Sequence, residues 1–212
     1  MSNAQNASPM PSDFPAFATA WQRDGVTRLL NYVWTGYDAL RLQNPSTLNP
    51  HDEINVNSHL ESWIQRKKPK KCPFDIQHTP PEVATRLTKS RPPPSPDFGF
   101  FSWTDRRAMF PLEAKVLRTD TDVSAYLKAL RSRFLRCRYA PYSSEGVMIG
   151  YLLAGDPAVT FKKLRERLRT QLLQHPDFIS RPHRVSSHQR KHRLCKKSPV
   201  DFRCHHLVMT LC

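Results

Sequence analysis

The sequence is poor in glycine and contains no long hydrophobic run. Only 6 of its 212 residues are glycine, against 19 prolines. A Gly-rich phosphate loop is therefore absent, and no nucleophile elbow or local Ser/His/Asp or Cys/His signature supports those hydrolase classes. No segment approaches the ~20 apolar residues of a membrane span, and the polar N-terminus lacks the features of a signal peptide. We expect a soluble protein that is not exported and has no membrane partner.

Cysteine is also scarce, and its five positions are odd in number and widely scattered: Cys72, Cys137, Cys195, Cys204 and Cys212. This is a poor disulfide framework and favours a reducing, cytoplasmic location. A zinc site is the alternative use of these thiols, together with the histidines near the C-terminus. However, the spacings match no paired finger pattern across the zinc-competent set of His188, His192, Cys195, Cys204, His205 and His206.

Acidic residues are outnumbered by basic ones. The chain has 33 Lys and Arg against 18 Asp and Glu, a formal charge of +15. Such a surplus exceeds what solubility needs and favours a polyanionic partner, with nucleic acid first. The alternative is a basic protein whose charge attracts phosphate without a binding role.

Length and patterning indicate a flexible leader over residues 1–13 and a single domain over residues 14–212. Residues 14–66 hold the N-terminal helices. Apolar residues at three- and four-residue steps predict a helix over Gly25–Gln43, and a second helix begins near Asn49–Asp52 and ends near Arg66. Cys72–Pro96 is mainly a connection with a short strand near Phe74–Gln77.

The rest of the chain alternates between strands and helices. Two apolar runs separated by a polar loop predict a hairpin, and a continuous apolar run predicts a buried central strand. The predicted order is a hairpin of Asp97–Trp103 and Met109–Leu117, a helix over Val123–Phe134, a strand at Val147–Leu153, a helix from Ala158 to Gln174 and a last strand at Cys204–Leu211. We therefore expect an α/β (α+β mixed) fold, a central mixed sheet flanked by helices.

One strand of the hairpin carries a charged pair. Side chains alternate along a strand, so the apolar residues Phe110–Val116 at even positions face the core while Glu113 and Lys115 share the opposite face. Asp97 begins the partner strand. Carboxylates such as Asp97 and Glu113 suit Mg²⁺, and a nearby ammonium group can hold the attacking water in phosphodiester hydrolysis. The alternative is an ordinary surface pair of opposite charges.

The residues Pro96-Asp97 and Glu113-Ala114-Lys115 resemble the signature of the PD-(D/E)xK superfamily, the restriction-endonuclease-like nucleases. The resemblance covers the stretch from the second helix to the strand at Val147–Leu153. It implies a restriction-endonuclease-like core and Mg²⁺ or Mn²⁺ held by Asp97 and Glu113, with the Ala114 carbonyl as a further ligand.

Many members of this superfamily also take a glutamate from the helix ahead of the sheet, and Glu53 is the candidate for that role, in which it would complete the metal shell or hold a second metal. Leu60 and Ile64 lie seven and eleven residues further on, so helical geometry turns Glu53 along the same inward stripe. The alternative for Glu53 is an acid of the first turn that complements the helix dipole.

Two basic regions are candidates for phosphate contacts. The helix after the hairpin carries Arg131, Arg133 and Arg136. The segment Phe178–Val200 contains no Asp or Glu and is interpreted either as a loop that clamps the nucleic-acid backbone or as a solvated insertion. Its candidate contacts are Arg184, Arg190, Lys191, Arg193, Lys196 and Lys197.

The resulting hypothesis is a Mg²⁺-dependent nuclease, with DNA favoured over RNA as substrate. A bare domain of this size resembles nuclease subunits that act beside other proteins in bacterial antiviral defence or repair, and cutting both strands of a duplex in one encounter would need a homodimer. Two alternatives stay open: a subunit that binds nucleic acid on the same fold without cutting it, and a ribonuclease.

Overall fold

The computed structural model describes residues 25–72, 74–82, 92–102, 109–191, 193–195 and 199–211. The predicted leader, the loop of the hairpin at Thr104–Ala108, and the candidate phosphate contacts Lys196 and Lys197 lie outside these ranges. Among the described helices, none combines the length and the apolar character that crossing a bilayer requires.

Two helices precede the sheet, as the hydrophobic spacing predicted. Helix α1 spans Val26–Gln43 and ends at Asn44, which adopts a left-handed conformation with φ of 36°. Helix α2 spans Glu53–Lys67 and is capped by Asp52, whose carboxylate accepts hydrogen bonds from the backbone N–H groups of Ile54 and Asn55. This cap fixes where α2 begins and makes Glu53 the first residue of its first turn.

The described strands form one seven-stranded mixed sheet in the order β1-β2-β3-β4-β7-β6-β5. Strand β2 pairs antiparallel with β1 on one side and with β3 on the other, β3 and β7 flank β4 in parallel, and β6 and β5 continue antiparallel beyond β7. The strand bounds are β1 Phe74–His78, β2 Phe98–Ser102, β3 Met109–Leu117, β4 Glu145–Leu152, β5 Leu173–Gln174, β6 His183–Gln189 and β7 Asp201–Thr210. The mixed α/β class and the central position of β4 are confirmed.

Helices cover both faces of this sheet. On one face, α1 and α2 pack with Ala114, Ile149 and Leu207 in one hydrophobic cluster. On the other face, Leu117, Met148 and Val208 pack against α3, which spans Ser124–Ala129 and continues as a π-helical turn over Leu130–Phe134, and against α4, Pro157–Leu168. Strand β4 is buried along its whole length because apolar layers lie on both sides.

The C-terminal part differs from the sequence-based prediction in two respects. Helix α4 ends at Leu168 and not at Gln174, because Arg169 adopts a left-handed conformation and the chain turns into β5. The segment Phe178–Val200, interpreted as a loop or a solvated insertion, contributes β6 to the sheet. Its polar composition hid this strand, since only Val185 interrupts a run of polar residues over His183–Gln189.

The cysteines correct a further expectation. Cys137 and Cys195 form a disulfide across 58 residues of sequence, whereas Cys72 and Cys204 are buried free thiols. The scattered spacing predicts a poor disulfide framework, and this prediction is wrong for one pair because tertiary packing brings two distant segments together. The disulfide does not fit the reducing environment inferred from the cysteine count.

Candidate active site

Three of the acidic side chains singled out in the sequence converge on the ammonium group of Lys115. The Nζ of Lys115 lies 2.7 Å from Oε1 of Glu53, 3.1 Å from Oε1 of Glu113 and 3.6 Å from Oδ2 of Asp97. It also donates a hydrogen bond to the carbonyl oxygen of Ala114 at 2.5 Å. Three carboxylates and one backbone carbonyl thus surround a single cation.

The cluster forms where β3 extends beyond its antiparallel partner. Strand β2 begins at Phe98, which pairs with Leu112, so β2 offers no partner to the backbone of β3 after this position. Side chains take its place: Asp97 accepts a hydrogen bond from the backbone N–H of Ala114 at 2.7 Å, and Glu53 accepts one from Val116 at 3.2 Å. The edge of β3 that would otherwise lack partners therefore positions both carboxylates.

Burial and the positive charge of Lys115 shift the pKa of Glu113 in opposite directions. Its side chain is 7% exposed, and burial followed by the negative charge of Asp97 raises its pKa to about 7, although Lys115 acts in the opposite direction. Burial alone would lower the pKa of Lys115, but the carboxylates of Glu113, Asp97 and Glu53 together raise it. Lys115 therefore stays protonated, and the ionised form of the Glu113 carboxylate needs a positive neighbour.

Tyr139 and Arg133 complete the surroundings of Glu113. The hydroxyl of Tyr139 donates to the carbonyl oxygen of Ser95 at 2.6 Å, and burial and then the charge of Glu113 raise the pKa of this tyrosine. The guanidinium of Arg133 lies 5.6 Å from the centroid of the Tyr139 ring and contributes to lowering the pKa of Glu113. Sequence reasoning named Arg133 only as a phosphate contact and missed Tyr139, because nothing local marks a tyrosine 26 positions after Glu113.

The donor atoms suit a hard divalent cation. Carboxylate oxygens and a backbone carbonyl are the ligands that Mg²⁺ and Mn²⁺ accept, and here three carboxylates and one carbonyl lie around a single cation. Asp97, Glu113 and the carbonyl of Ala114 would hold the ion, with Glu53 beside it. Over the part of the chain that the structure describes, no three His, Cys, Asp or Glu side chains are arranged to hold a metal, and here Lys115 lies among the carboxylates. Its ammonium group would have to move aside for an ion to enter.

Comparisons with protein-family models, with curated proteins and with solved structures find no match to this chain. The geometry of the cluster therefore carries the functional argument, and membership of the restriction-endonuclease-like superfamily stays a hypothesis.

The basic residues named from the sequence have diverse environments. Arg131, Arg136, Lys191 and Arg193 are exposed, and Arg131 donates to the carbonyl oxygen of Arg167 at 2.7 Å. Arg184 is half-buried, with its guanidinium 5.1 Å from the centroid of the Phe161 ring.

Arg190 differs from these residues because it lies in the interior and not on the surface where we expected it. It is 2% exposed, donates to the carbonyl oxygen of Ala140 at 2.9 Å and stacks 3.8 Å from the centroid of Phe202. In this arrangement Arg190 is a packing residue and does not face phosphate.

The histidines considered for zinc have other partners. His205 lies 2.9 Å from Glu145 and 3.2 Å from His183 on one face of the sheet. His206 lies 2.9 Å from the hydroxyl of Tyr126 and 2.7 Å from that of Ser186 on the other face. Cys195 is in the disulfide and His192 is outside the described residues. His205 and His206 thus form hydrogen bonds in the interior of the protein, on opposite faces of the sheet.

Proposed function

We propose that this chain is a metal-dependent nuclease of the restriction-endonuclease-like class, with DNA as the favoured substrate. The observation that carries the proposal is the convergence of Glu53, Asp97, Glu113 and the Ala114 carbonyl on Lys115 at the open edge of β3. A surface pair of opposite charges would need none of the additional acids, and none of the backbone hydrogen bonds that hold them.

Each residue has a defined task in such a reaction. A bound Mg²⁺ or Mn²⁺ supplies Lewis-acid polarisation of the phosphate and a more acidic water. Asp97 and Glu113 would hold the ion with the Ala114 carbonyl, and Asp97 is itself fixed by the backbone N–H of Ala114. Lys115 positions the attacking water and neutralises charge that develops on the phosphate oxygens, which its persistent positive charge permits. Glu53 restrains the ammonium group of Lys115.

The test is cleavage of single- and double-stranded DNA and RNA with Mg²⁺ or Mn²⁺ by wild-type protein and by Lys115→Ala. We expect the variant to lose at least about 100-fold in rate, the size typical of removing one group that stabilises transition-state charge, and to keep its affinity for nucleic acid. Lys163→Ala is the matched control, because Lys163 forms an exposed ion pair with Glu166 on α4. Equal cleavage rates for wild type and Lys115→Ala would overturn the assignment.

A subunit that binds nucleic acid without cutting it is the second candidate. The observation that favours it is the position of Lys115, whose ammonium group lies among all three acids, where an ion would have to bind. This candidate predicts that no DNA or RNA form is cut, with or without the products of neighbouring genes, although binding persists. Side-by-side digestion of DNA and RNA also decides whether the enzyme is a deoxyribonuclease or a ribonuclease.

A further inference from the structure

Two segments of the chain contain no acidic residue over more than twenty positions. They are residues 123–144 and 178–200, the two longest stretches of the sequence without Asp or Glu. Each carries several Lys and Arg residues, and each contains one cysteine of the disulfide, Cys137 in the first and Cys195 in the second. The cross-link thus joins the two acid-free segments of a chain whose formal charge is already +15.

Packing under the disulfide reinforces this junction. Arg190, at the end of β6, donates to the carbonyl oxygen of Ala140 and stacks on Phe202. The backbone N–H of Arg190 also donates to the carbonyl oxygen of Val200 at 2.7 Å, which closes the base of the connection between β6 and β7. A buried arginine and a covalent bond therefore hold the second segment on the first.

Exposed cations lie beside the cross-link. Arg136 is adjacent to Cys137, and Arg193 belongs to the same 3₁₀ turn as Cys195. With 5.4 Å between the Cα atoms of the two cysteines, the Cα atoms of Arg136 and Arg193 are at most roughly 15 Å apart. Along one strand of B-DNA a phosphate occurs about every 3.4 Å of helix axis, so a backbone of this length carries several phosphates and both arginines can reach it.

The same region leads to the candidate active site. Arg133, three positions before Arg136, influences the pKa of Glu113 and lies over Tyr139, which contacts the strand entry at Ser95. We name the set of Arg133, Arg136, Lys191 and Arg193 the cross-linked basic surface. It extends from the acidic cluster to the disulfide without an intervening acidic residue in either segment.

We propose that the cross-linked basic surface binds the phosphate backbone of a nucleic acid, and that the Cys137–Cys195 disulfide assembles this surface. The inference rests on the proposed function for its substrate class. Reduction of the disulfide by a dithiol or phosphine, which supplies two electrons and yields two thiols, separates the segments and weakens binding.

The experiment measures the affinity of full-length protein for a fluorescein-labelled 20-nucleotide DNA, single- or double-stranded, in EDTA so that no cleavage occurs. Oxidised wild type should bind at least about 10-fold more tightly than the reduced protein or the Cys137→Ser/Cys195→Ser variant. Cys72→Ser, which removes a free thiol, should behave like wild type before and after reduction.

A second arm leaves the disulfide intact and therefore does not depend on how the reduced protein folds. Arg136→Ala/Arg193→Ala should weaken binding and decrease the slope of log affinity against log salt by about 1.8 on duplex DNA, the value for two lost phosphate contacts. Arg28→Ala/Arg41→Ala, which removes two exposed charges from α1, should change it much less.

Equal effects of the two arginine pairs, or equal binding by oxidised and reduced protein with an unchanged unfolding transition, would overturn the proposal. So would competition by polyglutamate as efficient as that by unlabelled DNA, which would point to an acidic protein partner. A protein that binds in this disulfide-dependent manner but cuts nothing refutes the nuclease alone. One that cuts, and binds equally in both redox states, refutes the surface alone.

Discussion

Glu53 shows how one side chain serves both a helix and a strand. It is the first residue of α2, where a carboxylate complements the helix dipole, yet its two oxygens contact Lys115 and the backbone of Val116 on β3. The side chain is 30% exposed, which leaves it accessible to ions and substrate. A purely local role in α2 would not require these contacts across 62 and 63 positions of sequence.

Replacing Glu53 by Gln tests this second role. Glutamine keeps the length and an acceptor for Lys115 but removes the negative charge, so we expect at least about a 10-fold loss of metal-dependent cleavage and a change in unfolding free energy below about 1 kcal/mol. Single-turnover cleavage and urea unfolding measure the two quantities. Glu61→Gln, a half-buried acid on the same helix, should retain activity. Full activity of Glu53→Gln would show that Glu53 only complements the dipole of α2 and has no role in cleavage.

Arg190 shows the opposite case, a residue of the basic segment that acts in the interior. Burial lowers the pKa of Arg190 to about 9, and its guanidinium lies between Ala140 and the Phe202 ring. Arg190→Ala removes the stacking contact and the hydrogen bond to Ala140 but also relieves the burial of two guanidinium nitrogens that lack partners, so the loss in unfolding free energy should stay below about 2 kcal/mol.

Urea unfolding of Arg190→Ala and of Arg193→Ala compares a buried and an exposed arginine of the same segment. The exposed site should change stability by less than about 0.5 kcal/mol. Equal stability of the two variants would show that Arg190 does not support the packing of the two acid-free segments.

At the scale of elements, the start of α2 links helix capping to the candidate active site. Asp52 accepts hydrogen bonds from Ile54 at 3.0 Å and Asn55 at 3.3 Å, and Glu53 follows it directly. Asp156 caps α4 in the same way, accepting from Ala158 at 2.7 Å, but α4 contributes no side chain to the cluster around Lys115.

These two caps give a matched comparison. Asp52→Ala and Asp156→Ala should each lower the unfolding free energy by about 1 kcal/mol, because each leaves the first turn of a helix without its cap. Only Asp52→Ala should also slow cleavage, by several-fold, since fraying of the first turn displaces Glu53. Thermal unfolding and cleavage rates check both effects. Equal activities in the two variants would show that the cap at Asp52 does not affect the candidate active site.

At the scale of the whole molecule, a chain of histidines crosses the C-terminal half of the sheet. The indole Nε1 of Trp34 donates to Nδ1 of His183 at 3.4 Å, which leaves Nε2 of His183 as the donor to His205 at 3.2 Å. His205 then donates to Glu145 at 2.9 Å. His183 can accept from Trp34 while donating to His205 only as long as its own imidazole is neutral, so acid should disrupt this order.

Two buried histidines, His183 and His206, make the stability of the protein depend on pH. Burial, with neighbouring histidines, lowers the pKa of His183 and brings that of His206 to about 3. Both histidines take up a proton near pH 6.5 in the unfolded chain but only at lower pH in the folded protein. The stability that they contribute is therefore fully present above about pH 6.5 and decreases as the pH falls. At pH 5, His206 alone should cost about 2 kcal/mol relative to neutral pH.

Urea unfolding between pH 5 and pH 8 measures this slope. His206→Asn, which cannot take up a proton in this range, should flatten it relative to wild type. His51→Asn, at an exposed position, should leave the slope unchanged. A parallel loss of stability in all three proteins as the pH falls would contradict the role of His206.

Elements with a local pattern could be predicted before any tertiary contact was known. Periodic apolar residues predicted α1 and α2, alternation predicted the common face of Glu113 and Lys115, and a continuous apolar run predicted the buried strand β4. The structure has these elements, and it brings the acids and the lysine named from short-range pattern into one cluster. Their role as catalytic and metal-binding residues stays a prediction.

Tertiary structure alone decided the features that depend on distant contacts. Strand β6 is mostly polar, so its own sequence shows no hydrophobic strand pattern. It forms a strand because it pairs with β7. The Cys137–Cys195 bond, the interior position of Arg190 and the contact of Tyr139 with the site join residues tens of positions apart. Local periodicity records which face of an element is buried, but the partner that buries it is chosen only when the whole chain packs.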